Sequence, residues 1–466
     1  AIGGGRYKIP PLWSILSKEK KKVIFVNVPF TYPPMEVNGI VISGMFVPNS
    51  AKVVSYPPDV YTDLVNKLGE YKIDDWSPEV FGVERSKIYL HYDKIVEVLS
   101  QITEKRKQAT LMLLKDNDWD FSMVVFTAID RLQHLFWEFM EGNGNHSLSS
   151  KYSKVICDGY RQIDSAIGEI IEKAGKDTTV VITSDHGFGP FKKHFFANKW
   201  LEEIGLLKLK RNLGHRMIRM TTPSIDKIAK KIIPTIPLPE WTRKVRIPIP
   251  RIVARDRYEI IDWENTKAYI EQCGININLR GREPHGIVEP GKEFEELITF
   301  IQKQFSQLRD ESEPSVIIAD WIKRKEDIYT GPFVAEAVDL YFSVKNRTYL
   351  ENARIDVKSK FGKPPIGSGI HRMNGIFIMS GPLCRKHDSL SPRIIDITPT
   401  VLYLMGVPLL EGMDGRVLEE IIDPVYIESH PIKRSRHSGT GKDGLHYSKE
   451  DEDKIIDSLK GLGYLS

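Results

Sequence analysis

Five residues in this chain have the types and the spacing that bind divalent metal ions: Asp130, His134, Asp185, His186 and His371. Asp185 and His186 are adjacent and are followed by glycine, so a turn after a strand could present both side chains. Asp130 and His134 are four residues apart, which places both on one face of a helix. His371 lies in a Gly/Ser loop. Each group alone could be an ordinary surface or capping arrangement, but together they offer the mixed N and O ligands that zinc or manganese takes.

The elements that must position these residues alternate between apolar strands and long amphipathic helices. Buried strands are predicted at 21–29, 120–127, 180–184 and 375–380, and long helices at 88–114 and 152–174. This alternation predicts an α/β fold with a mostly parallel central sheet flanked by helices. Ligands bind such sheets beyond the carboxyl ends of the strands, which is where the candidate ligands fall.

The pattern divides the chain into four segments. Residues 1–206 are predicted to form the first part of the core, and 266–426 the second part. Between them, 207–265 reads as a basic, proline-interrupted insertion or cap. Residues 427–466 are predicted to be a polar linker that ends in a C-terminal helix.

The basic character of the chain is concentrated in one segment. Residues 207–258 contain 14 Lys and Arg against 3 acidic residues, a local charge of +11, so the remaining residues carry 4 − 11 = −7. This segment could cover the active site and bind an anionic substrate, lie on an anionic membrane surface, or be a solvated face with a few apolar anchors. Its only aromatic residues are Trp241 and Tyr258, which argues against nucleic acid as a partner.

Composition places further bounds on the protein. No apolar run reaches the roughly 18 residues that a membrane span needs. The three cysteines, Cys157, Cys273 and Cys384, form no CxxC pair, which favours a reducing, cytoplasmic compartment, with peripheral membrane attachment as an option through 207–258. The sequence opens on Ala1 within what reads as a loop, so we expect that a natural N-terminal piece precedes it.

Three motifs together resemble the alkaline phosphatase superfamily, most closely its type I phosphodiesterase and nucleotide pyrophosphatase branch. They are Ser-Asp-His-Gly at 184–187, the Asp130-xxx-His134 element and Gly-Ile-His at 369–371, with supporting similarity at 26–34, 277–284 and 396–400. Sulfatases of the same superfamily usually have another residue where His186 stands.

The resemblance implies two divalent metal ions, zinc or manganese. One would be bound by Asp130, His134 and His371, and the other by Asp185 and His186. The family also has an aspartate on the first strand and a Thr or Ser nucleophile shortly after it, and neither has a match in these residues. The family position of Gln133 is typically Gly in the nucleotide pyrophosphatases, so the identity of the substrate is not carried over.

The implied activity is hydrolysis of phosphodiester or nucleotide pyrophosphate bonds in a phosphorylated small molecule, through a covalent Thr or Ser phospho-enzyme. His194 could support the metals or contact the substrate phosphate, with Arg131, Arg372 and Lys193 as weaker candidates. The 466 residues alone are expected to show little turnover. Two other functions stay open: an inactive homologue that acts as a binding or scaffold protein, and a phosphoglycerate mutase-like isomerase.

Overall fold

A computed structural model describes residues 10–48, 51–75, 78–81, 90–142, 146–210, 257–271, 274–364, 369–387, 389–436 and 455–456. The helices are α1 Leu12–Lys18, α2 Asp59–Leu68, α3 Pro78–Phe81, α4 Tyr92–Asp116, α5 Ala128–Met140, α6 His146–Tyr152, α7 Val155–Ala174, α8 Ala197–Glu203, α9 Lys292–Ser306, α10 Ile397–Leu404 and α11 Pro424–Ser429.

The strands, numbered in chain order, are β1 Val23–Val28, β2 Gly39–Ser43, β3 Ser55–Tyr56, β4 Phe121–Val124, β5 Val180–Thr183, β6 Gly187–Pro190, β7 Lys193–Phe196, β8 Ala268–Ile270, β9 Ile275–Ile277, β10 Arg309–Asp310, β11 Glu313–Ile317, β12 Ala319–Arg324, β13 Leu340–Val344, β14 Tyr349–Asn352, β15 Phe361–Gly362, β16 Gly369–Arg372, β17 Phe377–Ser380, β18 Leu409–Leu410 and β19 Arg434–Ser435. The chain divides into two compact units, one of Ala1–Pro190 and Ile366–Tyr464 and the other of Phe191–Pro365 with Leu465–Ser466.

The first unit is built around β1, whose six residues are all buried. β1 pairs in parallel with β2 on one side and with β4 on the other, and β3 adds to β2 in the antiparallel sense. Successive side chains of a strand point to opposite faces, so Phe25 packs in a cluster with Leu402 of α10, while Ile24 packs in a cluster with Ala109 of α4. Helices therefore cover both faces of the parallel sheet that the sequence predicted.

The strand predicted at 180–184 is less buried than expected. β5 is only half-buried, and it pairs antiparallel with β17, in which Ile378 is 54% exposed. Among the described strands β4 pairs with β1 and β5 with β17, so neither is enclosed by strands on both sides. The prediction of buried strands at 120–127, 180–184 and 375–380 is wrong for this reason, although all three strands are present.

The second unit has its own core and its own sheets. The strand order is β12-β13-β9-β8 in one sheet and β14-β7-β15 in another, and α8 and α9 pack in the same hydrophobic cluster. Phe195 and Phe305 each contact the rings of both Trp200 and Phe342 in this core. Residues 266–364, which the sequence placed in the second part of the core, fall in this unit.

A buried carboxylate organises part of the second unit. Asp339 is 1% exposed on its side chain and accepts two hydrogen bonds of 2.7 Å from the Arg282 guanidinium. It also accepts a 2.8 Å bond from the backbone N–H of Ile277 and lies 3.5 Å from Lys325 Nζ. A buried charge is tolerated only when it is paired and hydrogen-bonded in this way.

Two sequence predictions fall largely outside the described residues. Most of the basic segment 207–258 does so, and the cap, the anionic-substrate contact and the membrane contact remain predictions. The C-terminal helix near 448–460 is described only at 455–456, where both residues are helical. Within the described part of the chain, no helix combines the length and apolar character needed to cross a membrane.

Candidate metal centre

Helix α5 presents the first pair of candidate ligands. It begins just after β4, and Asp130 lies in its first turn, where a carboxylate interacts favourably with the helix dipole. The opposite face of α5 is apolar and buries Leu132, Phe136 and Phe139. His134 follows Asp130 by one turn, so both side chains leave the helix on the same side, as the spacing predicted.

The remaining ligands come from two segments that run antiparallel. β6 pairs with β16, which places His371 opposite Phe188, two residues after His186. The Ser184 hydroxyl accepts a 2.8 Å hydrogen bond from the Ile376 N–H and fixes the two loops against each other. A side chain at Gly187 would overlap the backbone carbonyl of Asn374, so the approach of these loops requires glycine there.

The ligand atoms converge on one oxygen. Asp130 Oδ1 lies 3.2 Å from His371 Nε2, 3.6 Å from His134 Nε2 and 3.7 Å from His186 Nε2. The Nε2 atoms of His134 and His371 are 3.0 Å apart. Asp185 lies at the rim, with a side chain that is 66% exposed and an oxygen 3.5 Å from His186 Nε2. All five predicted ligands thus belong to a single cluster. Asp130 lies near His186 as well as near His134 and His371, so it links the two ligand sets that the resemblance kept separate.

Hydrogen bonds at the outer ring nitrogens favour one tautomer for two histidines. His134 Nδ1 lies 3.0 Å from the Gly369 carbonyl oxygen, and His186 Nδ1 lies 3.0 Å from the Gly187 carbonyl oxygen. A carbonyl can only accept, so each Nδ1 carries the hydrogen and donates it. Each Nε2 then keeps its lone pair and faces Asp130. This is the arrangement in which metal-binding histidines are usually oriented by their surroundings.

Burial keeps His134 and His371 neutral. It lowers the pKa of His134 to about 4, against the raising effect of the Asp130 carboxylate. Burial likewise lowers the pKa of His371, although Asp130 opposes this too. For Asp130 burial favours the neutral acid, but Arg131 and the two histidines outweigh it and hold its pKa well below the usual range. Near neutral pH the ionised Asp130 carboxylate therefore faces the unprotonated imidazoles of His134 and His371.

The cluster fits a divalent metal by its chemistry and its dimensions. The ligand atoms of Asp130, His186 and His371 all lie within 4.8 Å of one another. Tetrahedral ligands about 2.1 Å from a zinc ion are roughly 3.4 Å apart, close to the spacing found around Asp130 Oδ1. Neutral histidines and a carboxylate are also the donors that zinc and manganese accept. The metal roles of these five residues remain predictions that the geometry supports.

Two of the weaker sequence candidates, Arg372 and Lys193, have partners within the protein. Arg372 donates to the carbonyl oxygens of Pro190 and His371, and Lys193, in the second unit, pairs with Asp310 at 2.5 Å. His194 is also in the second unit, where burial and then the charge of Arg354 lower its pKa to about 4. Its proposed support of the metals remains a prediction.

Sequence reasoning missed the residues behind Asp130. Asp75 and Arg106 are buried and, with Thr127, form a polar network that includes Arg131. Arg131 had been considered only as a weak candidate, and Asp75 follows another aspartate in a stretch without periodicity. Asp75 is 31 positions from Arg106 and 56 positions from Arg131, and nothing in the sequence indicates that it would contact either. These contacts depend on the packing of α4 against α5.

Gly369 provides a test of how the cluster is held together. A Cβ atom there would overlap the carbonyl oxygen of Gln133 in α5. We expect Gly369→Ala to lower the free energy of unfolding by roughly 1–3 kcal/mol through overpacking, and to weaken metal binding because β16 carries His371 and bonds His134. Urea denaturation and calorimetric titration would measure both. Gly168→Ala on α7, where a Cβ meets nothing within 4 Å, is the matched control. Equal effects of the two substitutions would contradict the prediction.

Comparison with known proteins gives one family match. The family model of the type I phosphodiesterases / nucleotide pyrophosphatases matches residues 2–233, which include Asp130, His134, Asp185 and His186. A search of the curated proteins and a search of the solved structures each gave no significant match. The family match confirms the resemblance that the motifs carried. The chain belongs to the type I phosphodiesterase / nucleotide pyrophosphatase family, within the alkaline phosphatase superfamily.

Proposed function

We propose that this protein is a metal-dependent hydrolase of phosphodiester or nucleotide pyrophosphate bonds in a phosphorylated small molecule. The observation that carries the proposal is the convergence of the Nε2 atoms of His134, His186 and His371 on Asp130 Oδ1, at 3.2–3.7 Å. Family membership supports phosphoester hydrolysis, and this cluster supports a metal as the means. Bound metals would act as Lewis acids on phosphate oxygens and lower the pKa of a water molecule.

The residues of the chain prepare the site for a divalent cation. Asp130 supplies negative charge that offsets a bound cation, and His134, His186 and His371 supply lone pairs. Phe188 contacts the His134 ring edge-on at a centroid distance of 4.7 Å and stacks on Trp137 at 5.8 Å. These rings form an apolar wall on one side of the cluster. Such a wall keeps water from the ligand atoms and strengthens the electrostatic interactions beside it.

We further propose that hydrolysis proceeds through a covalent phospho-enzyme whose Thr or Ser nucleophile has no match among these 466 residues. The family has a Thr or Ser that attacks phosphorus, forms the phospho-enzyme and expels the leaving oxygen, after which water cleaves the intermediate. Membership of the family supports this route.

Metal analysis joined to an activity assay tests the proposal. We expect the purified 466-residue chain to bind zinc or manganese, as measured by metal content and calorimetric titration. Turnover of bis-p-nitrophenyl phosphate should be low for this chain. Absence of any bound metal would instead support a binding or scaffold role. Strong turnover by the 466-residue chain, abolished by His371→Ala, would place the nucleophile within it.

A further inference from the structure

A buried ionic network lies directly behind the candidate metal centre. The Asp75 side chain is 0% exposed, and its two partners Arg106 and Arg131 are 2% and 1% exposed. Arg131 Nη2 lies 3.1 Å and Nε 3.2 Å from Asp75 Oδ1. Two guanidinium contacts to one carboxylate oxygen restrain the plane and the direction of the Arg131 side chain.

The other end of Arg131 reaches a candidate ligand. Its Nη1 donates a hydrogen bond to Oδ2 of Asp130. The second oxygen of that carboxylate, Oδ1, faces His134, His186 and His371. One oxygen of Asp130 is therefore held by the guanidinium, and the other is left directed at the histidines.

The network is anchored on the side away from the histidines. The Thr127 hydroxyl donates to Asp75 Oδ2 and accepts a 2.5 Å hydrogen bond from Arg106 Nη1. Arg106 also donates to the carbonyl oxygens of Val125 and Ile73, at 3.1 Å each. Val125 and Thr127 follow β4 and lead into α5. The network thus ties the end of the strand, the start of the ligand helix and the loop that contains Asp75 to one another.

The net charge of the buried network explains why it includes Asp130. Arg106 and Arg131 bring two positive charges into the interior, and Asp75 supplies only one negative charge. The ionised Asp130 supplies the second, which makes the group of four neutral. Burial of a charge without such compensation is strongly unfavourable. The same pairing that stabilises the arginines therefore keeps Asp130 oriented.

We propose that Asp75 and Arg131 are positioning residues that hold Asp130 so that it offers Oδ1 alone, as a monodentate ligand, to a divalent cation. The inference rests on the proposed metal-dependent function for its ligand. A direct contact of Arg131 with substrate phosphate is a poor fit, since its side chain is 1% exposed and engaged on both sides by carboxylates. Asp75 and Arg106 act on the cation only through Arg131 and Asp130.

The test compares metal affinity in Asp75→Asn and Arg131→Lys with that of the unaltered chain. Asp75→Asn keeps the shape of the side chain and removes its charge. Arg131→Lys keeps the charge and removes the planar fork that contacts both carboxylates. Each is expected to weaken zinc or manganese binding by about 10- to 100-fold, the usual effect of losing a group that orients a ligand. Calorimetric titration with the metal alone measures the affinity.

Asp339→Asn is the matched control because Asp339 is an equally buried carboxylate with two cationic partners, in the second unit. It should lower stability and leave metal affinity unchanged. If Asp75→Asn fails to fold, the double variant Asp75→Asn with Arg106→Met removes one charge of each sign and keeps the network neutral. The inference would be overturned if two variants lost stability but kept the metal affinity of the unaltered chain. These are Arg131→Lys and either Asp75→Asn or, where that fails to fold, the double variant.

A second readout separates this inference from the proposed function. Crystal structures of the metal-free chain and of its Arg131→Lys variant would show whether the Asp130 carboxylate rotates when its Oδ2 partner is lost. Rotation supports the positioning role whether or not the chain hydrolyses phosphodiesters. An unmoved carboxylate overturns it. Failure of the unaltered chain to bind any metal would overturn the proposed function, while the orientation of Asp130 would still decide the positioning role.

Discussion

Asp130→Asn is expected to weaken metal binding by on the order of 10²–10³-fold, because each ligand of a metal site contributes a few kcal/mol to affinity. Asp130 Oδ1 is the atom that lies within 3.7 Å of all three histidine nitrogens, so the substitution alters the oxygen on which all three converge. The amide is neutral and a weaker donor, and it no longer offsets the charge of a cation. Calorimetric titration with zinc and with manganese would measure the loss.

Asp185→Asn provides the comparison for this result. Its side chain is 66% exposed and lies at the rim of the cluster, where water screens its charge. We expect it to change the affinity of the tightest site by at most about tenfold. Circular dichroism of each variant would verify folding. Equal losses for Asp130→Asn and Asp185→Asn would show that the cluster is centred on the Asp185 turn instead.

The candidate ligands could be predicted from sequence because their signals are local. Asp130 and His134 are related by the helical repeat, and Asp185 and His186 by adjacency at a strand end. The parallel pairing of β1 with β4 likewise follows from apolar runs separated by a long helix. The grouping of His371 with Asp130 has no local signal, because 241 positions separate the two residues. It came from the resemblance to the family motifs.

The residues that orient the ligands could not be predicted in the same way. Asp75 reaches Arg131 across 56 positions, and neither residue belongs to a periodic pattern that marks it as buried. A charged side chain is normally assigned to the surface, and its burial becomes reasonable only when its partners are known. The half-exposed state of β5 was missed for a related reason. An apolar run predicts a strand but not how many neighbours pair with it.

The metal-free protein is expected to lose stability as the pH falls from about 6.5 to about 4, by about 3 kcal/mol through His134 alone. In the folded state burial lowers the pKa of His134 to about 4, whereas the pKa of the same imidazole in the unfolded chain is near the ordinary value of 6.5. Between these values the unfolded state binds one proton more than the folded state. The free energy of unfolding therefore rises with pH across this window and falls on acidification.

His194 contributes in the same direction within the second unit, because burial also lowers its pKa to about 4. Asp130 adds a further loss at lower pH, since its pKa in the folded state lies below the ordinary carboxylate value and protonation removes the stability gained from ionisation. The decline should therefore start with the histidines and continue with the carboxylate. Urea denaturation in the presence of a chelator, repeated across the pH range, would measure the slope.

His134→Asn isolates the contribution of His134. The Asn amide can still donate a hydrogen bond to the Gly369 carbonyl, which His134 Nδ1 contacts at 3.0 Å, but it does not titrate. The variant should therefore show a shallower pH dependence than the unaltered chain between pH 6.5 and 4, by up to one proton in the linkage slope. An identical slope would mean that His134 is protonated in the folded state at mildly acidic pH. Its Nε2 would then carry a hydrogen, and a metal could bind the cluster only by displacing that proton.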